Sequence, residues 1–198
     1  RLSRTEASGF IKLSIDALGS LKDKTPRRYA GSIFIEDATF RYEGLPVSIE
    51  SLSADAVFNE KQVEIKGLRA SDGRSFIVMN GQATGYAGPD PSFALAAEAR
   101  LDSSTIAAMA KETAVADGLY TDGSASIKLT AEGGKDSARI SLHADATPAW
   151  IAYRDYIRKE EDYPASFEAF MEASDAGVTI RRAALKIGSS TIEFAGRT

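Results

Sequence analysis

The sequence contains no cysteine and only one histidine among its 198 residues. Without cysteine the chain forms no disulfide and carries no thiolate nucleophile. With a single histidine, the common zinc sites and the Ser-His and Cys-His nucleophilic sites are not available from this chain alone. That histidine, His143, falls on the polar side of an alternating segment, so we expect it at the surface. We therefore predict no catalytic residue, no metal site, no cofactor and no enzymatic activity.

The chain also lacks a strong charge of one sign and any long apolar run. Its formal net charge is −4, which gives no general electrostatic case for binding nucleic acid. No apolar run approaches the ~20 residues that would span a bilayer, and no signal peptide is recognisable. The sequence starts at Arg1 instead of methionine and stops at Thr198, directly after a strand-like segment. We expect a single β-rich domain over 1–198, excerpted from a longer protein, with repeat-like halves of about 1–113 and 114–198.

What the sequence does contain is apolar and polar residues in alternation with a period of two. In residues 93–101, for example, Leu95 and Ala97 share one side while Glu98 and Arg100 share the other. Strands with one wet and one apolar side favour an antiparallel sheet, and turn residues separate the alternating segments. We predict a mainly β fold, a curved antiparallel sheet (taco-like or half-barrel) of repeated hairpins, with one or two short helices against its concave face.

Three local features depart from simple alternation. Residues 102–113 begin with Asp and Ser and continue with good helix formers, which predicts a short helix. Residues 148–161 also favour a helix, although their aromatic content would suit a strand. The apolar phase slips after Gly67, which predicts a β-bulge there.

The densest group of aromatic residues lies in and after the second of these segments. It either packs in the core beneath a helix or an extended connection, or closes one end of an apolar trough. Its members are Trp150, Tyr153, Tyr156, Tyr163, Phe167 and Phe170.

Part of the sequence is repeated. Residues 51–83 match residues 166–198 at a constant offset of about 115 residues, without a gap. A repeated β-unit predicts an extended sheet, and such sheets usually bind or carry something. The coinciding residues are Val63/Val178, Ile65/Ile180, Gly73/Gly188, Ser75/Ser190, Ile77/Ile192 and Gly81/Gly196.

Small residues are frequent on the apolar sides of the predicted strands, as at Ala54, Ala97 and Ala131. They leave room either for a closely packed helix or for an acyl chain, of which each buried CH₂ contributes about 0.8 kcal/mol. If the apolar sides line one groove, its candidate residues are Leu52, Ala54, Phe58, Val63, Ile65, Leu95, Ala97, Ile127, Leu129, Ile140 and Leu142.

Three stretches resemble the AsmA-like family of Gram-negative envelope proteins, which is related to TamB and YhdP. They are GSIFIEDATFRY (31–42), LSADAVFNEKQVEIKGLRASDGRSFIVMNGQATGY (52–86) and FALAAEARLDSSTIAAMA (93–110). As in that family, strands and a hairpin lead to a strand that closes near Asn-Gly, and a Leu-Asp pair opens a short helix. The segment 118–134 is similar to the family's Gly-strand-Gly unit, whereas 149–164 does not fit the pattern.

The resemblance implies a periplasmic segment, anchored to the inner membrane through a part of the protein outside this sequence. Its partners would be phospholipid or another acyl-chain ligand and neighbouring segments of the full-length protein, with no nucleic acid. The function implied is an apolar groove that conducts phospholipid between the inner and outer membranes. The alternative is a structural or assembly module of the cell envelope, with a closed β-sandwich core and edge strands that pair with partners.

Overall fold

A computed structural model describes residues 5–19, 28–42, 47–111 and 117–197. Within these residues the chain forms fourteen strands and one α-helix. In chain order they are β1 (Thr5–Leu18), β2 (Arg28–Tyr42), β3 (Ile49–Asn59), β4 (Gln62–Ser71), β5 (Phe76–Thr84), β6 (Ser92–Asp102), α1 (Ser103–Ala110), β7 (Leu119–Asp122), β8 (Ser124–Gly134), β9 (Ser137–Asp145), β10 (Trp150–Tyr153), β11 (Ile157–Lys159), β12 (Ala165–Ser174), β13 (Gly177–Ile187) and β14 (Ser190–Arg197).

Eleven strands form one sheet in the order β1-β2-β3-β4-β5-β6-β8-β9-β12-β13-β14. Every neighbouring pair is antiparallel, and the sheet is curved without closing. Short polar turns produce this meander. At the β3–β4 turn, for instance, the Oδ1 atom of Asn59 accepts the backbone N–H groups of Lys61 and Gln62 at 2.8 and 2.9 Å. The predicted curved antiparallel sheet is confirmed.

Two insertions interrupt the meander at the same end of the sheet. One carries α1 and β7 between β6 and β8, and the other carries β10 and β11 between β9 and β12. The insertions join each other, because β7, β10 and β11 form a second, three-stranded sheet. We call α1, β7, β10 and β11 the cap.

The helix prediction for 102–113 is confirmed for Ser103–Ala110, and residues 112–113 lie outside the described residues. Asp102 is its N-cap and accepts the N–H of Ser104 at 3.0 Å. The predicted position against the concave face is wrong, because α1 packs on β7 and on the end of β6.

The predicted helix over 148–161 is wrong. These residues form β10 and β11, joined at Arg154, whose φ of 47° does not belong to a right-handed helix. The strand conformation is fixed by pairing between Trp150 and Asp122 and between Tyr153 and Leu119, which are distant in sequence. Helix and strand propensities are properties of the local sequence, so they do not indicate a pairing partner that is distant in sequence.

The predicted aromatic cluster is also dispersed. Trp150 and Tyr153 lie in the cap, Phe167 stacks on Phe194 with 6.3 Å between ring centroids, and Phe170 lies on the opposite side of β12. The two remaining tyrosines are exposed.

The sheet is a single layer, and no large side chain among the described residues is completely buried. The chain exposes 13760 Å² of surface, whereas a compact monomer of 21.1 kDa would expose about 9,000 Å². The closed β-sandwich of the alternative prediction is therefore not present in the described part of the chain. Burial is greatest at alanines, including Ala169 and Ala183 at 3% and 1% exposure.

The predicted bulge in β4 is present. Asp55 pairs with Gly67 and Ala56 pairs with Ile65, so Lys66 is the extra residue of the ladder. An extra residue restores the apolar phase, which keeps the apolar side chains before and after it on one face.

The second half of the internal repeat reproduces this bulge. Phe170 pairs with Arg182 and Met171 pairs with Ile180, so Arg181 is the extra residue in β13. The register shift at the next strand pair also recurs at the same offset of about 115 residues. The sequence repeat is therefore a structural repeat, in which β12–β14 correspond to β3–β5.

Polar groups hold the cap to the sheet. The hydroxyls of Ser75 and Thr105 are 2.7 Å apart, and Thr105 donates to the Asp72 carboxylate at 2.6 Å. Burial disfavours the charged form of this carboxylate. Hydrogen bonds from Thr105 and from the backbone N–H groups of Ser75 and Arg74 outweigh that effect and lower the pKa of Asp72 below 3.8.

Two more carboxylates at this end have lowered pKa values. The hydroxyl and backbone N–H of Ser104 lower the pKa of Asp102, and the hydroxyl and N–H of Thr147 lower the pKa of Asp145. Each of the two serves as the acceptor that fixes a local turn or helix start.

Acidification is expected to loosen the cap. The pKa values of Asp72, Asp102 and Asp145 are lower in the folded state than in the unfolded state. Their contribution to stability is therefore complete above the unfolded value of about 3.8 and is lost as the pH falls through the lower folded values. Trp150 is the only tryptophan and lies in the cap, so its fluorescence measures this transition. A transition above pH ~5 would assign the change to another group, because carboxyl groups in unfolded chains titrate near pH ~4.

Candidate functional site

The register of the sheet defines its two faces, because directly paired residues project to the same side. One row of paired residues crosses all eleven strands and contains no polar side chain. It consists of Leu13, Ile33, Ala56, Ile65, Gly81, Leu95, Ala131, Ile140, Met171, Ile180 and Gly196.

Three further rows lie on the same side and are equally free of polar side chains. The second row consists of Ile11, Ile35, Ala54, Leu68, Met79, Ala97, Leu129, Leu142, Ala169, Ala183 and Phe194. The third consists of Ala38, Leu52, Ala70, Ile77, Ala99, Ile127, Ala144, Phe167, Leu185 and Ile192. The fourth consists of Ile15, Gly31, Phe58, Val63, Ala83, Phe93, Gly133, Ala138, Ala173 and Val178. We call these four rows the apolar face.

Every candidate groove residue lies on the apolar face, and each is half-buried. By row, they are Ile65, Leu95 and Ile140; Ala54, Ala97, Leu129 and Leu142; Leu52 and Ile127; and Phe58 and Val63. The structure therefore brings together all the residues that the period-two alternation selected.

The apolar face is wider than the candidates indicated. On β1, Ile11, Leu13 and Ile15 extend it and are 67%, 58% and 56% exposed. On β14, Ile192 and Phe194 extend it at 62% and 47% exposure. The alternation in residues 10–18 and the internal repeat were the sequence signals that could have identified these positions.

No helix of the described residues lies over the apolar face. The small residues on it, such as Ala97 and Ala131, therefore do not accommodate α1, which packs at the end of the sheet. With strands ~4.8 Å apart, the eleven strands span roughly 50 Å, and four rows at two-residue intervals span roughly 20 Å along the strands. The second dimension exceeds the ~15 Å depth of one leaflet of a ~30 Å hydrocarbon core.

The opposite face, which we call the polar face, carries the charged residues in pairs. His143, predicted at the surface, is there and lies 3.5 Å from Glu168. Lys128 lies 3.3 Å from Glu98. Such exposed pairs contribute little to stability but keep this face wet.

A cavity of about 800 Å³ opens on the polar face. The residues that line it come from strands β4 to β13 and include members of the first apolar row. Charges of both signs line it, with Glu132 4.0 Å from Arg139 and Glu172 2.5 Å from Arg181. The hydrogen bond from Arg181 lowers the pKa of Glu172. Ion pairs of this kind therefore stand at the rim of a cavity that apolar residues also line.

No protein-family model, curated protein or solved structure matches the chain. The resemblance to the AsmA-like family thus remains a prediction that rests on the quoted motifs. None of the described residues belongs to a helix with the length and apolar character needed to cross a membrane.

Neither of the two cations at the bulges is among the candidate groove residues. Lys66 and Arg181 occupy equivalent bulge positions in the two repeats, and both reach the cavity on the polar face. The shift of apolar phase located the first bulge. The offset of the repeat could have located the second.

Proposed function

We propose that the apolar face binds the acyl chains of phospholipid and that this chain is a periplasmic segment of an AsmA-like protein. In that role it would conduct lipid between the inner and outer membranes, with its membrane anchor outside this sequence. The observation that supports the proposal most is the apolar face itself. It crosses all eleven strands without a polar side chain and has no helix over it in the described residues.

The energetics of such binding are simple. Each CH₂ removed from water contributes about 0.8 kcal/mol, so an acyl chain needs no polar contact to be retained. Exposed apolar surface of this extent on a soluble protein usually marks a binding site. The acyl chain would displace water from apolar side chains such as Leu129 and Ile140, while the phosphate headgroup would stay in solvent.

The arrangement of the rows would also allow a bound acyl chain to move across the sheet. An acyl chain aligned with the strands would meet a similar apolar surface on each successive strand, at intervals of ~4.8 Å. No buried charge would interrupt its path, so no single step would require a large desolvation cost. Transfer would need no covalent chemistry.

The two ends of the strands differ in how they could receive a headgroup. The cap occupies one end. The turns at the other end carry both signs of charge, with Lys61 after β3 and Lys135 and Asp136 after β8. In this proposal the headgroup lies at the uncapped end, where a zwitterionic or anionic phospholipid would find water and cations.

A structural or assembly role is the second candidate. The observation in its favour is that the outer edges of β1 and β14 have no neighbouring strand in the described residues. Its closed sandwich core is absent from those residues, so the role would depend on edge pairing alone.

Native mass spectrometry after gentle purification tests the proposal. We expect co-purified phospholipid, released by detergent, and micromolar binding of a fluorescent fatty acid by the stripped protein. A protein that is lipid-free and ignores the fatty acid at every concentration tested would favour the structural role.

A further inference from the structure

The outer edge of β14 is an open edge of the sheet. All eight residues of this strand are exposed, and no described strand pairs with its outer side. An edge of this kind presents unpaired N–H and C=O groups and is a template for another strand.

The internal repeat shows how the corresponding edge is used within the same molecule. β14 occupies in the second repeat the place of β5 in the first, so Ile192 corresponds to Ile77 and Gly196 to Gly81. The outer edge of β5 is covered by β6, with Leu95 directly opposite Gly81. The equivalent of β6 is the strand that β14 lacks in the described residues.

The two equivalent glycines differ in their surroundings. A Cβ atom on Gly81 would lie 2.8 Å from the carbonyl oxygen of Ala94 and 3.1 Å from Cδ1 of Leu95. A Cβ atom on Gly196 would meet no atom within 4 Å. Gly81 is thus required by the strand beside it, whereas Gly196 leaves the same space empty.

From these observations we propose that the outer edge of β14 binds an antiparallel strand of a polypeptide partner, in the register that β6 adopts on β5. The partner has a large aliphatic residue opposite Gly196 and smaller apolar residues opposite Ile192 and Phe194. Opposite Glu193 it has a basic or neutral residue. Glu193 already binds Arg182 at 2.8 Å, and an acidic residue directly opposite it would be repelled.

The β1 edge of a second copy of this chain does not match the strand that we propose for β14. β1 and β14 are the first and eleventh strands of a sheet in which all neighbours are antiparallel, so the two run in the same direction. Docking β1 of another copy on β14 with the two apolar faces on the same side would give a parallel pair. The repeat template is antiparallel.

A peptide with the sequence of residues 92–102 and the substitution Glu98→Lys tests the proposal. The lysine would face Glu193 in the predicted register. At a peptide concentration about ten times the Kd, we expect amide hydrogen exchange in residues 190–197 to slow about tenfold. Exchange in β1 should not change. The peptide that retains Glu98 should bind about fivefold more weakly, because like charges then face each other.

Gly196→Val is the matched variant of the protein. Its added Cβ has open space in the chain alone, so the variant should keep its thermal stability and lose peptide protection. Absence of protection at millimolar peptide, or equal protection in Gly196→Val, would overturn the proposal. So would a dimer, measured by sedimentation without peptide, in which β14 is already protected.

Discussion

Replacing Leu129 with glutamate is expected to reduce fluorescent fatty-acid binding more than about tenfold while the chain stays folded, because a carboxylate would have to lose water beneath the acyl chain. Leu129 lies in the middle of the apolar face, paired with Ala97 and Leu142. It is half-buried and faces no second layer among the described residues, so the charge remains solvated in the free protein. Fatty-acid titration and circular dichroism measure the two effects.

The control is Thr130→Glu, one residue further along the same strand. Thr130 is exposed on the polar face and lines the cavity there. Its substitution should leave fatty-acid binding unchanged. Loss of binding in Thr130→Glu alone would place the ligand in the cavity. Unfolding of Leu129→Glu would mean that the apolar face is a covered core.

Replacing Lys159 with methionine is expected to destabilise the cap by about 3 kcal/mol, because buried carbonyl groups would lose their donor. Lys159 is only 2% exposed. Its Nζ atom donates to the carbonyl oxygens of Thr147 at 2.8 Å, Glu160 at 2.9 Å and Ala149. Methionine has a similar length but offers no proton, so the volume is kept and the three hydrogen bonds are not.

Urea unfolding followed by Trp150 fluorescence measures this loss. Lys128→Met is the control, since Lys128 is exposed on the main sheet and its pair with Glu98 should contribute at most about 0.5 kcal/mol. If Lys159→Met unfolds at the wild-type urea concentration, the carbonyl groups do not depend on the ammonium group.

The sheet could be predicted from the sequence because the residue pattern that specifies each strand lies within that strand. In β8, Ile127, Leu129 and Ala131 alternate with Lys128 and Thr130, and a chain with this pattern separates its apolar and polar sides only as a strand. Short turns then force each strand to pair with the next. Because residues 166–198 repeat residues 51–83, the register of β3–β5 also applies to β12–β14.

The cap could not be predicted in the same way, because its information is non-local. Trp150 is in a strand because Asp122 pairs with it from another insertion. The burial of Lys159 likewise depends on carbonyl groups from the preceding loop, and nothing in the composition of 148–161 indicates such an acceptor set.

The members of the candidate site were predictable, but the surroundings of the site were not. Alternation placed Leu95, Ala97 and Leu129 on one side of the sheet, as the structure does. It did not say whether a helix would cover small residues such as Ala97, because a helix and an acyl chain require the same space. The cavity is lined by residues of seven strands between β4 and β13, so no single strand encodes it.

The position of the cap has a consequence for how the molecule loses structure. Each strand of a single-layered sheet is stabilised by its immediate neighbours, so the chain approaches a one-dimensional array. The cap links four consecutive interior strands, β6, β8, β9 and β12, through the pairing of its two insertions. Opening should therefore begin at β1 and β14 and progress inward, and the four strands that the cap joins should be the last part to melt.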